Sequence, residues 1–147
     1  MDNTNEVNVL DELNKGTCMG RDAIHFILDK VKDEDLKKEL NVQYEKYKSI
    51  SDKICELYPE YSDKSGATPH ETNTMNKVMT WYGIEMKTLM DDSTSKIAEL
   101  LLQGTNMGII EGRKLLNHKD TDANVEKLVR EYVDMQEDAV EKLKSFL

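Results

Sequence analysis

The sequence predicts an all-α protein, an antiparallel four-helix bundle with an extra short helix in the crossover connection. Three observations predict it. Apolar and small residues recur at alternating steps of three and four over four long segments, the signature of helices sharing a seam. Only two prolines and seven glycines interrupt 147 residues, 38% of them hydrophobic and 33% charged, which suits helices that each keep one wet face. Finally, the chain carries two near-copies of one pattern, GTCMG at Gly16 to Gly20 and GTNMG at Gly104 to Gly108.

The first helix is expected from about Asn5 to Lys32, with Leu10, Leu13, Thr17, Gly20, Ile24, Ile27 and Val31 on its seam. Asp33, Glu34 and Asp35 make an acidic entry to the second helix, where negative charge suits the positive helix end. That helix runs from about Glu34 to Tyr58 and carries Leu36, Leu40, Gln43, Tyr47, Ile50, Ile54 and Leu57. Pro59 closes it, and Gly66 and Pro69 break the following loop. A shorter helix from about Glu71 to Met90 presents Met75, Val78, Met79, Tyr82, Met86 and Leu89. Ser93 or Asp92 suits the N-cap of the next helix, expected from about Thr94 to Asn117 with Ala98, Leu101, Thr105, Gly108, Gly112 and Leu115 on its seam. Leu102, Ile109 and Leu116 broaden that seam, so this helix is expected to be the most buried. The last helix, about Thr121 to Phe146, shows Val125, Leu128, Tyr132, Met135, Ala139, Leu143 and Phe146.

Sliding Gly16 onto Gly104 overlays the two halves without a gap. Leu13 then falls on Leu101, Thr17 on Thr105, Met19 on Met107, Gly20 on Gly108 and Leu28 on Leu116. In the second helix of each half, Leu40 meets Leu128, Tyr44 meets Tyr132 and Tyr58 meets Phe146. Matches at seam positions through both helices and the turn between them read as two homologous helical hairpins in one domain. Their extents are about residues 5–58 and 94–146, joined by a linker and short helix at 59–93. Two such hairpins with a long crossover make a four-helix bundle.

Duplicated hairpins, a long central connection and a patch of small residues together resemble the ferritin-like superfamily. Within it, LNKGTCMGRDAIHFILDKVKDEDLKKEL and LLQGTNMGIIEGRKLL are similar to an uncharacterised family of small bacterial ferritin-like bundles, distantly akin to spore-coat-type bundles. The resemblance implies a ferritin-like fold and a structural or protein-interaction role linked to stress or sporulation. It also directs attention to metal. Di-iron members use a glutamate from each of two helices and Glu-x-x-His from the other two, and this sequence contains no Glu-x-x-His. Where inward carboxylates would be wanted it has Thr17, Gly20, Thr105 and Gly108. No metal and no cofactor is expected, and no catalytic residue. If an unconventional site existed, its candidate ligands would be Glu131, Glu111, Tyr44 and Tyr132.

Other candidates read more simply. Asp22 and His25, with Asp29 beyond, fall opposite the seam, as a solvated face. His70 sits in the loop and His118 in a turn near a helix C-terminus, neither with a partner at ligand spacing. Gln43 and Glu131 are equivalent under the repeat; they read as flanking residues, as a buried polar layer or as remnants of metal ligands. Met19, Met107, Met135 and the Met75, Met79, Met86 and Met90 stripe read as core filling, although methionines also ligate haem or copper and form adaptable binding faces. Trp81 with Tyr82 anchors the short helix or, if exposed, marks a partner surface. The partner expected is a second copy or another protein, met through Met75, Met79, Trp81, Tyr82 and Met86.

Twenty basic residues are scattered among 29 acidic ones, for a net charge of −9, so nucleic acid and anionic membranes are not expected partners. The start, MDNTNEVNVLDEL, has no basic-then-apolar pattern and no segment is long enough for a membrane span, so the expected location is the cytoplasm. Cys18 and Cys55 lie seven residues out of level in an antiparallel hairpin about Asp33, roughly 10 Å by helical rise. They are beyond disulfide reach and are expected as reduced thiols, buried or half-buried.

Five glycines in helix interiors, Gly16, Gly20, Gly104, Gly108 and Gly112, oppose helix formation by on the order of 5 kcal/mol together. Close packing is the expected compensation, with the equivalent Tyr44 and Tyr132 filling the space that the missing side chains leave.

Overall fold

A computed structural model of the chain describes residues 3–62, 67–69, 74–88 and 93–147, with the backbone alone at 74 and 86–88. Gly66, His70, Glu71, Leu89, Met90, Asp92 and the side chain of Met86, all named above, lie outside the described residues. The described residues form five α-helices and no strand. These are α1 (Thr4–Leu28), α2 (Glu34–Leu57), α3 (Thr74–Thr88), α4 (Thr94–His118) and α5 (Ala123–Lys144), with one 3-10 turn at Tyr58–Glu60. No described helix is long and apolar enough to cross a membrane.

Local chemistry sets the boundaries. α1 stops at Leu28, earlier than the seam suggests, because Lys30 and Val31 bond back to Ile27 and Leu28 in a tight turn. Asp33 then takes an extended conformation and its carboxylate accepts from the Leu36 amide at 2.9 Å. Ser93 does the same for α4, accepting from the Lys96 amide. Each oxygen satisfies one of the amides that a helix start leaves unpaired. Pro59 lies inside the 3-10 turn that ends α2.

α1 packs on α2 and α4 on α5 as helical hairpins; α2 packs on α5, and α1 on α4 and α5. Leu10, Leu13, Ile27, Leu36, Leu40, Ile54, Ile97, Val125, Val129, Val133 and Leu143 are fully enclosed between them. Lys46–Asp138 and Lys53–Glu131 link α2 to α5 across the wet edge, and Arg113–Glu137 links α4 to α5. All three are half-exposed, so each contributes little.

Two expectations need correction. α4 is not the most buried helix: it encloses only Ile97, Ala98, Leu100, Leu101 and Gly112, whereas α5 carries a broad buried stripe from Val125 to Leu143. The reason is where α3 lies. It packs along α1, leaving Met107 and Ile110 on α4 about half exposed at 48% and 53%. Cys55 is exposed rather than half-buried, while Cys18 is half-buried; both are free thiols.

Candidate functional site

The site grows from the two G-T-x-M-G segments, which lie at mid-length on α1 and α4. Their threonines behave alike: Thr17 donates to the Leu13 carbonyl at 2.8 Å and Thr105 to the Leu101 carbonyl at 2.7 Å. With each hydroxyl turned back onto its own helix, the glycines are left as the surface other helices meet.

What meets them is not symmetric. A Cβ on Gly16 would strike the Tyr132 hydroxyl, which arrives from α5. The equivalent Gly104 would be paired by the repeat with Tyr44, yet Tyr82 of α3 takes that place. Gly20 receives the ring of Tyr47, Gly108 the amide of Gln136, and Gly112 a methyl of Val133 with the Tyr132 ring beyond. Tyr44 is half-buried at the edge of the core and is not among the side chains nearest any of these glycines. Tyr47, one turn further along α2, stands level with Gly20 instead. The missing side chains therefore admit three phenols and one carboxamide, delivered from α2, α3 and α5.

These groups do not fill the space. A cavity of about 180 Å³ remains between α1, α3 and α4, floored by Tyr47, Tyr132 and Gln136. Both motifs line it, through Gly16, Met19 and Gly20 on one side and Gly104, Met107 and Gly108 on the other. Trp81 and Tyr82 close the α3 side, with their rings edge to face at 4.6 Å and 83°. The charged residues in the lining, Lys77 and Glu111, are exposed.

The polar centre is Gln136, only 2% exposed. Its Nε2 donates to the Tyr47 hydroxyl at 3.2 Å, while its Oε1 is buried without a protein partner. The phenols of Tyr47, Tyr82 and Tyr132 are all held above the ordinary tyrosine range. Burial is the main cause in each, and Gln136 partly offsets it for Tyr47 and Tyr132. The buried part of the lining is thus neutral at physiological pH, its charged residues standing at the exposed edge.

The residues named from sequence fall in different places. Tyr132 lies in the cavity floor; Glu111 stands exposed at its edge, 3.5 Å from Lys114. Glu131 is on the outer α2–α5 face, paired with Lys53. Gln43 lines the cavity and donates to Glu39 at 3.1 Å, so it and Glu131 use separate partners. Asp22 is half-buried and pairs with Arg21, His25 and His118 are exposed, and Asp29 pairs with Lys30. A di-iron centre needs anionic carboxylates and imidazoles around a shared point. Three protonated phenols and a carboxamide do not fit one, and among the described residues no group of three His, Cys, Asp or Glu is placed to hold a metal ion.

Sequence reasoning placed Tyr47 and Tyr82 on seams without assigning them to the glycines, and passed over Gln136. A signal for Gln136 existed: it shares the helical stripe Val129, Val133, Val140, where a polar side chain must be buried. Comparison with known proteins found no matching family model, no matching curated protein and no matching solved structure.

Proposed function

We propose that the chain is a non-catalytic ferritin-like four-helix bundle that binds a small, mostly apolar organic molecule at its centre. The observation that carries this reading is the cavity of about 180 Å³ walled by both G-T-x-M-G segments. An engineered apolar cavity of about 150 Å³ in another protein binds benzene, so the volume suits one aromatic ring. The bundle part of the reading is supported by two hairpins, α1–α2 and α4–α5, packed on each other with α3 in the long connection. The non-catalytic part is supported by the lining, whose interior ionisable groups are phenols kept protonated by burial.

Benzene titration tests it. Thermal denaturation should move upward with benzene concentration, since a ligand that binds only the folded chain stabilises it. Backbone amide shifts should centre on the glycines of the two motifs. Ala23, 7% exposed, also lines the cavity, and Ala23→Leu should abolish both effects by filling it. An unchanged midpoint and unchanged shifts in the wild-type chain would remove the reading.

A second reading, association with another protein copy through α3, is favoured by Met79 and Ile84, which are about half exposed at 49% and 57%. Light scattering separates it: a monomer at high concentration removes self-association.

A further inference from the structure

The outer face of α4 is unlike that of the other described helices. Charged residues make up 33% of the chain, yet α4 carries none from Leu100 to Ile110, the longest such run in any described helix. Part of that run is buried against the core. Gln103, Asn106, Met107 and Ile110 are exposed, and their steps of three and four place them on one stripe. Charge returns at the two ends of the stripe with opposite sign, as Glu99 before it and Lys114 after it, their side chains 47% and 63% exposed.

We propose that two copies of the chain pair along this stripe, α4 against α4, antiparallel about a two-fold axis passing between Asn106 and Met107. Charge selects both the partner and its direction. Two molecules of net charge −9 repel each other, and approach at least cost where neither presents a charge. Parallel helices would set Glu99 on its own copy and Lys114 on its own copy. Antiparallel helices about this axis bring Glu99 opposite Lys114 of the second copy, twice by symmetry. Lys96 then faces Asn117, and Glu111 faces Leu102. An axis through Thr105 would instead oppose Glu99 to Glu111 and Lys96 to Lys114. Beside the axis a residue meets its own copy: the Asn106 carboxamide both donates and accepts, and the unbranched Met107 adapts to what it touches. One helix face is smaller than a standard interface, so the pair is weak and reversible. The inference is independent of the cavity reading, and it assigns self-association to α4 where Met79 and Ile84 would assign it to α3.

Sedimentation equilibrium on the full chain tests it, at concentrations up to roughly 1 mM where a weak pair is populated. A monomer–dimer equilibrium is expected. Ile110→Lys should raise its Kd about tenfold or more by burying an unpaired charge, while Met79→Lys on α3 should hold it within about twofold. Both positions are about half exposed, and helical circular dichroism checks that the variants fold. Glu99→Lys and Lys114→Glu should each raise Kd about tenfold, because each sets like charges opposite one another twice. An equimolar mixture of those two variants should recover pairing to within about threefold of wild type, which no change confined to one molecule would do. A monomer at every concentration would overturn this proposal and the α3 reading together, leave the cavity reading standing, and give the stripe to a different partner. Dimers lost with Met79→Lys and kept with Ile110→Lys would overturn it in favour of α3. A mixture that pairs no better than its components would overturn the antiparallel contact proposed here.

Discussion

Gln136 on α5 and Tyr47 on α2 are joined by a hydrogen bond of 3.2 Å in which the carboxamide nitrogen donates to the phenol oxygen. Both side chains are buried, and each fills the space left by a glycine on a different helix, Gly108 for Gln136 and Gly20 for Tyr47. One bond thereby ties four helices at mid-length.

Removing the acceptor should be felt. Tyr47→Phe leaves the Gln136 nitrogen enclosed without that partner, and should reduce unfolding free energy by about 1–2 kcal/mol in urea titrations. Tyr44→Phe, at the half-buried position one turn earlier, should stay within about 0.5 kcal/mol. Equal effects at the two sites would contradict the assignment of Tyr47 as the central phenol.

The glycines make a contrast that needs no ligand. Gly83 on α3 has open space where a Cβ would go, so Gly83→Ala should stabilise by up to about 1 kcal/mol through helix propensity alone. At Gly20 the new methyl overlaps the Tyr47 ring, and Gly20→Ala should destabilise by about 1–3 kcal/mol as that ring is forced aside. Opposite signs in paired denaturation curves are the expected result.

Alkaline titration reports on the same cluster. Tyr47, Tyr82 and Tyr132 have ionisation pushed upward by burial. Below about pH 10 these tyrosines are protonated folded or unfolded, so their contribution to stability is fully present. Above it the unfolded chain releases the protons first, which favours unfolding, and stability falls as pH rises. Of six tyrosines, these three should ionise, by absorbance near 295 nm, only together with loss of helical circular dichroism. Ionisation of all six while the helices persist would contradict the enclosed cluster.

Much of the helical layout was legible because its causes are local. The three-four spacing, Ser93 as a cap and Asp33 before α2 each act within one helical turn of the residue concerned. The pairing of side chains with glycines was legible only in part. Tyr44 and Tyr47 are one turn apart on α2, and periodicity does not say which stands level with Gly20; that depends on how α1 and α2 are offset. The repeat pointed to Tyr44 and Tyr132 as the side chains that fill the glycine patch, but α3 has no counterpart in the first half, and its Tyr82 takes the place at Gly104. Gln136 was passed over because a search for apolar stripes discards the polar residue inside one. The low burial of α4 has the same root: which neighbour α3 chooses is a tertiary fact.

The insertion of Tyr132 at Gly16 also bears on how the chain is made. The recess lies on α1 and its occupant on α5, the first and last of the described helices. A ribosome must therefore deliver α5 before α1 has its final neighbour. Until then α1 and α2 can form as a hairpin, but with a gap along α1 that local contacts cannot close. Such long-range closure slows folding, and completion waits on the arrival of α5.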